Sequence, residues 1–188
     1  TLVEPQCKGT AHLIEGKGAS AVVDGKPLVH LEQGSAAFDF KVENDIPYLT
    51  VHQVSGRSDA QEQKVSCELR SPITLTDDVL QGKLHFSVST VQVNSAITLH
   101  NVDFLLGLGG TTGGIEFTAT GTSGSVDVGA LTLSNIGFDM KGREEETLSF
   151  TLQQVIPGIP SPTLIASGTV GIDTSKPFVL NESSIAVH

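Results

Sequence analysis

The stretch Ala96-Ile97-Thr98-Leu99-His100-Asn101-Val102-Asp103-Phe104 returns further along the chain as Ala130-Leu131-Thr132-Leu133-Ser134-Asn135-Ile136-Gly137-Phe138. Both copies alternate apolar and polar residues with a period of two, which is typical of a β-strand with one buried and one solvated face. In both copies the apolar phase slips by one residue, at His100-Asn101 and at Ser134-Asn135. A slip turns the side chains of a regular strand to its other face, so the repeated slip predicts a local bend or β-bulge.

The same alternation extends through most of the chain and predicts an all-β protein. Val, Ile, Thr and Phe are frequent and there are 20 glycines, whereas long runs of helix-forming residues are missing. About eleven to thirteen short apolar segments, separated by turn residues, read as strands. We therefore expect one domain over residues 1–188, with a candidate subdivision near residues 68–72. The expected fold is an antiparallel β-sandwich or jelly-roll-like domain built on a repeated strand unit.

The two copies also suggest an alternative fold. Each reads apolar-Thr-Leu-x-Asn-apolar-x-Phe, which resembles the coils of pectate-lyase-type β-helices, where asparagine commonly sits at a strand bend. That resemblance covers two short stretches and implies a right-handed parallel β-helix. The long, hairpin-like strands of residues 84–106 favour the sandwich.

Three segments are predicted to be loops because they are polar or rich in glycine: residues 56–64, 107–114 and 121–125. After the second copy, residues 141–146 form a charged connection in place of a glycine-rich one. Since the strands of the two copies match and these connections differ, specific contacts with a partner are expected on the connections.

The net charge of −10 narrows the range of partners. The chain has 21 acidic and 11 basic residues, and the basic residues are scattered singly. Nucleic acids and anionic membrane surfaces both need a concentrated positive face, so neither is expected as a partner. No segment approaches the roughly 18 apolar residues of a membrane-spanning helix. The expected partners are further copies of the chain or other surface proteins, and the residues define no small-molecule ligand.

The two cysteines, Cys7 and Cys67, are a guide to the cellular compartment of the protein. The chain begins at Thr1 and its one methionine is Met140, so we expect that a leader was removed or that the chain was excised from a longer one. An even cysteine count in an acidic β-protein then predicts one disulfide and a secreted or cell-surface location. Two free, buried thiols are the alternative.

Catalytic and cofactor motifs are missing from the sequence. There is no Gly-x-Ser-x-Gly element, no closely spaced histidine pair and no phosphate loop carrying lysine. Calcium is the metal for which the sequence offers candidate ligands, in two acidic pairs, Asp77 with Asp78 and Glu144 with Glu145, although the regular calcium-loop spacing is missing. Asn181, in Asn181-Glu182-Ser183, is a glycosylation candidate.

These observations favour a non-catalytic structural or adhesive domain of a secreted or surface protein. Its apolar terminal segments, residues 1–3 and 185–187, either pair with neighbouring subunits by strand addition, as in fimbriae, other filaments or surface layers, or complete the sheets of the domain itself. One alternative is a ligand-binding domain with an apolar pocket between sheets, and the other is a polysaccharide lyase or hydrolase. The phenylalanines expected to line that pocket are Phe38, Phe40, Phe86, Phe104 and Phe117.

Overall fold

The computed structural model of the chain describes residues 5–13, 19–23, 26–60, 63–92, 97–111, 114–143, 147–154, 160–161, 163–173 and 179–187. Within these residues the regular elements are all β-strands. The strands are β1 (Gln6–His12), β2 (Ala19–Val23), β3 (Lys26–Leu31), β4 (Gln33–Glu43), β5 (Ile46–Ala60), β6 (Gln63–Thr76), β7 (Val79–Gln92), β8 (Ile97–Thr111), β9 (Gly114–Val128), β10 (Leu131–Arg143), β11 (Thr147–Gln154), β12 (Thr163–Asp173) and β13 (Val179–Val187).

Eleven of these strands form one antiparallel sheet in the order β1-β4-β5-β6-β7-β8-β9-β10-β11-β12-β13. From β4 onward each strand pairs with the next strand along the chain, so this part of the sheet is a meander. The remaining two strands, β2 and β3, form a separate hairpin between β1 and β4. Within the described residues no ladder joins β1 to β13, so the sheet is open and these two strands are its edges.

The all-β antiparallel class is confirmed, but the predicted sandwich or jelly roll is not. The strands lie side by side in a single large sheet, and several successive strands are joined by two-residue turns. Asn44 and Asp45 both have positive φ, +51° and +63°, as the tight turn between β4 and β5 requires. Every ladder of the described strands is antiparallel, so the parallel β-helix alternative is wrong for them.

The predicted glycine-rich loops are strands wherever the structure describes them. Residues 107–111 belong to β8, residue 114 and residues 121–125 belong to β9, and residues 56–60 belong to β5. Glycine disfavours strands because it adds no side chain to the packing. Here Gly121 lies directly between Phe104 of β8 and Phe138 of β10, and a Cβ atom on Gly121 would come within 2.5 Å of Phe104 Cβ. The close approach of β8, through the Asp103 carbonyl and the Phe104 Cα and Cβ atoms, thus occupies the space that a side chain would need.

One side of the sheet, called the inner face here, carries the apolar core. The valines Val65, Val88 and Val102 pair across β6, β7 and β8, and with Phe138 they form the buried cluster. The hairpin β2–β3 folds towards this face, since Leu31 packs against the cluster. The Phe86 and Phe104 rings stack with centroids 5.0 Å apart, and Phe138 continues the row 6.3 Å from Phe104.

The predicted slips are confirmed as left-handed residues within long strands. Asn101 has φ of +52° and Asn135 has φ of +56°. The ladder registers of β8 and β10 with β9 skip these asparagines and the facing Gly124. Asparagine adopts this left-handed conformation more readily than most residues. Its short polar side chain can form local hydrogen bonds, and it clashes less with the backbone than a β-branched side chain does. As a result, Leu99 and Val102 pack against the same core although three positions separate them.

The predicted disulfide between Cys7 and Cys67 is wrong. Both cysteines are free, Cys7 exposed on edge strand β1 and Cys67 buried on β6. Two strands, β4 and β5, lie between β1 and β6, so the two backbones are at least about 14 Å apart at the usual strand spacing. A disulfide requires Cα atoms within about 7 Å. Burial, followed by the charge of Glu68, raises the pKa of the Cys67 thiol to about 11, so this thiol is inert near neutral pH.

No helix among the described residues has the length and apolarity needed to cross a membrane.

Candidate functional site

The opposite side of the sheet, called the outer face here, carries a polar network centred on Asp103 of β8. Ser87 lies directly opposite on β7 and donates its hydroxyl to Asp103 Oδ2 at 2.6 Å. His85, two residues before Ser87, places Nε2 2.8 Å from Asp103 Oδ1. On β6, Arg70 Nη2 is 2.7 Å from Glu68 Oε1 and 3.4 Å from His85 Nδ1. An Nε2–H imidazole at His85 therefore donates to Asp103 and accepts from Arg70.

A second network repeats the first one on the next strands. Thr132 of β10 lies opposite Asp127 of β9 and donates its hydroxyl to Oδ1 at 2.7 Å. His100 of β8 places Nε2 2.8 Å from Asp127 Oδ2. Each carboxylate thus accepts a hydroxyl from the residue directly opposite and an imidazole N–H from a diagonal neighbour. We call these the Asp103 cluster and the Asp127 cluster.

The hydrogen bonds stabilise the charged form of both carboxylates. The Ser87 hydroxyl, and then His85, hold the pKa of Asp103 below its ordinary value. Thr132, and then His100, do the same for the pKa of Asp127. A carboxylate with a lowered pKa is a poor general base. We conclude that each aspartate is ionised at neutral pH and serves as an acceptor that ties three strand positions together.

The residue types of the Asp103 cluster match those of a serine-nucleophile triad, but their order does not. In a triad the imidazole lies between the hydroxyl and the carboxylate, and it removes the proton of the hydroxyl. Here the carboxylate of Asp103 lies between Ser87 and His85, so the serine proton points to the acid. This arrangement holds Ser87 in place without activating it as a nucleophile.

Two grooves border these clusters on the sheet surface. The first, of about 480 Å³, runs beside the Asp103 cluster past the irregular positions Ser89 and Asn101. Its basic residues are Arg57 and Lys64. The second, of about 570 Å³, lies near the other end of the strands and crosses β7 to β10, with Lys83 and Lys141 on opposite sides. We call this second groove the glycine trough, because Gly107 and Gly109 line it.

Of the residues that the sequence proposed for calcium, the structure describes Asp77 and Asp78. Asp77 and Asp78 form the exposed turn between β6 and β7, with Asp77 at φ of +53°. Aspartate is common in tight turns, so the turn by itself explains the presence of both acidic residues. Glu144 and Glu145 lie outside the described residues, and the described part of the chain holds no group of three or more metal-ligating side chains. Asn181 belongs to edge strand β13, and its side chain lies outside what the structure describes.

The five phenylalanines proposed to line one pocket are divided among different sites. Phe86 and Phe104 stack in the core, while Phe117 lines the glycine trough. Phe40 lines a further groove of about 560 Å³ with Cys7 and Tyr48, near edge strand β1. Phe38 covers Gly9, whose Cβ position would be 2.6 Å from the end of the ring.

The sequence reading missed both histidine–aspartate clusters, because it weighed each histidine separately. A signal was present in the pairing of Phe86 with Phe104, which places Ser87 opposite Asp103. Once that register is assumed, His85 falls on the diagonal from Asp103, within reach of its carboxylate. The residues missed in this way are Glu68, Arg70, His85, Ser87, His100, Asp103, Asp127 and Thr132.

Comparison of the chain with protein-family models, with curated proteins and with solved structures finds no match.

Proposed function

We propose that this chain is a non-catalytic structural or adhesive domain of a secreted or cell-surface protein, which assembles by strand addition. The observation that carries the proposal is the open sheet, whose two edges, β1 and β13, are the first and last strands of the described chain. An unpaired edge offers a row of backbone donors and acceptors to another strand. The secreted or surface location is supported by composition and charge alone.

The hydrogen-bond pattern identifies which groups of β1 face the open edge. Leu13 N donates to Gly34 O at 2.9 Å, and Val42 N donates to Pro5 O at 3.0 Å. Since bonded and non-bonded pairs alternate along an antiparallel ladder, the odd-numbered residues of β1 bond to β4. The backbone groups of the even-numbered residues then point away from β4, and these residues are Gln6, Lys8, Thr10 and His12.

Several features favour assembly over catalysis. The Asp103 and Asp127 clusters tie adjacent strands together and hold their hydroxyls without activating them. Strands of up to 15 residues, such as β8 and β9, give a long and regular sheet that a further strand would extend. The net charge of −10 opposes nonspecific clustering, so association would depend on a matched edge.

Thr10→Pro tests strand addition at β1. Proline removes the outward N–H of Thr10 and leaves the ladder with β4 intact, so we expect the assembled species to dissociate into monomers. Thr10→Ala is the matched control and should assemble like the wild type. Sedimentation velocity over a concentration series measures the assembly state.

A further variant reports on the assigned ladder pattern. The N–H of Ala11 faces β4, so Ala11→Pro should lower the melting temperature, whereas Thr10→Pro should leave it nearly unchanged. A wild-type chain that is monomeric at every concentration would contradict assembly through its edges, as would a Thr10→Pro variant that assembles normally.

A further inference from the structure

The glycine trough brings two lysines to one row of the outer face. Lys83, Gly107, Thr118 and Lys141 pair in succession across β7, β8, β9 and β10. At the usual strand spacing, the backbones of the two lysines are about 14 Å apart. Between them Gly107 adds no side chain, and the Thr118 hydroxyl fills part of the space over it, since it would lie 2.5 Å from a Cβ atom placed there.

The next row continues the trough. Gly109 pairs with Glu116, and a Cβ atom on Gly109 would meet nothing within 4 Å. The rest of the lining carries hydroxyl and amide groups beside one proline: Ser71, Pro72, Thr74 and Gln81. The trough is thus an open channel with a backbone floor, cationic groups on both sides and one carboxylate, that of Glu116.

The lysines of the trough are not neutralised by the described part of the chain. None of its carboxylates lies within 4.0 Å of the ammonium of Lys83 or Lys141. By contrast, Lys41 pairs with Glu43 at 2.8 Å. In a chain with a net charge of −10, two such lysines flanking one groove form a local site for negative charge.

We propose that the glycine trough binds an acidic oligosaccharide that carries carboxylate groups. Lys83 and Lys141 would each bind a carboxylate, and the sugar rings between them would lie over Gly107 and Gly109. The hydroxyls of Thr118 and Ser71 and the amide of Gln81 supply hydrogen-bond partners for sugar hydroxyls. Recognition by charge also suits a protein with no tryptophan and one tyrosine, where ring stacking is scarce.

The position of the trough favours a glycan over an acidic peptide. β8 and β9 are central strands whose backbone groups are engaged in ladders on both sides, so an extended peptide could not add a strand there. Glycans need no backbone partner. The assignment rests on the proposed adhesive role, since it names what the domain would adhere to.

The test measures binding of a hexamer of galacturonic acid to the full chain by calorimetry. We expect binding that weakens with salt, and a loss of roughly tenfold in the Lys83→Gln/Lys141→Gln variant, as two exposed ion pairs allow. Lys8→Gln, which removes one positive charge on distant strand β1, is the control and should bind within about twofold of the wild type. Gly109→Leu, which fills open space without touching charge, should abolish binding.

Three results would overturn the glycan site: no binding of the hexamer to the wild type, an equal loss in Lys8→Gln, or equal binding of a neutral hexasaccharide. Equal binding of a poly-glutamate peptide would overturn the choice of a glycan. Sedimentation of the same variants separates this proposal from strand addition. Lys83→Gln/Lys141→Gln should assemble normally, and Thr10→Pro should keep its affinity for the hexamer.

Discussion

Between β6 and β10, the two faces of the sheet share one strand register but are held together by different interactions. On the inner face, the Phe86, Phe104 and Phe138 rings pack in a row with Gly121 beneath them. On the outer face, one residue along, polar side chains pair around Asp103. A single register sets both, because pairing Phe86 with Phe104 also places Ser87 opposite Asp103.

The interactions that stabilise the sheet thus differ from those that specify its strand register. Burial of large apolar side chains contributes the most free energy in a fold of this kind. Exposed polar pairs contribute far less, but they match only in one register. We infer that the inner face provides stability and that the outer face selects the alignment of the strands.

The largest expected effect is on the inner face. Phe104→Ala removes a ring that contacts both neighbouring rings, and we expect a loss of about 3 kcal/mol in the free energy of unfolding. Leu105→Ala, the adjacent position on the outer face, should cost about 1 kcal/mol or less. Urea denaturation of the two variants measures the contrast, and equal losses would contradict the assignment of the two faces.

A loss of stability of intermediate size is expected at the irregular positions of β8 and β10. Asn101→Val and Asn135→Val each place a β-branched residue at positive φ, which should cost about 1–2 kcal/mol. The controls Asn101→Gly and Asn135→Gly should be nearly neutral, because glycine adopts this conformation freely. Thermal unfolding of the four variants provides the measurement. If glycine proved as damaging as valine, the asparagine side chains and not the backbone would be responsible.

The smallest effect concerns the outer face and depends on pH. The pKa of Asp103 is lowered in the folded chain, so its stabilising contribution is fully present above the unfolded value of 3.8. As the pH falls through the lower folded pKa, that contribution is lost. Asp103→Asn should therefore be less stable than the wild type at neutral pH, by under about 1 kcal/mol for so exposed a group.

The difference between wild type and Asp103→Asn should shrink as the solution is acidified below that pH. Urea midpoints at several pH values test this, with Asp139→Asn as the control, since Asp139 is an exposed outer-face residue outside both clusters. A difference that stayed constant down to low pH would show that Asp103 stabilises the sheet by something other than its charge.

The sequence predicted those features of the fold that depend on local periodicity. The alternation of Phe86 and Val88 with polar neighbours predicted strands, and the slips at Asn101 and Asn135 predicted irregular positions that the structure contains. The glycine-rich segments were wrongly predicted to be loops, because the strand propensity of a residue depends on its neighbours as well as on its own type. Gly121 lies in a central strand between Phe104 and Phe138, where the neighbouring strand leaves no room for a side chain.

The site was less predictable than the fold. No short motif links His85 to Asp103 or His100 to Asp127, since each pair joins residues from different strands. Cys7 and Cys67 illustrate the same limit, because an even count suggested a bond that the strand order rules out. Each of these outcomes depended on which strands became neighbours.

The sequence alone determined the class of structure, the apolar phase of the strands that alternate clearly and the positions Asn101 and Asn135 where that phase slips. These are properties of a few consecutive residues, because side chains alternate along any extended chain. Only the tertiary structure decided that the strands form one open sheet, that β1 and β13 become its edges, and that Lys83 and Lys141 flank a common trough. Such juxtapositions arise from strand order and register, which distant parts of the chain settle together.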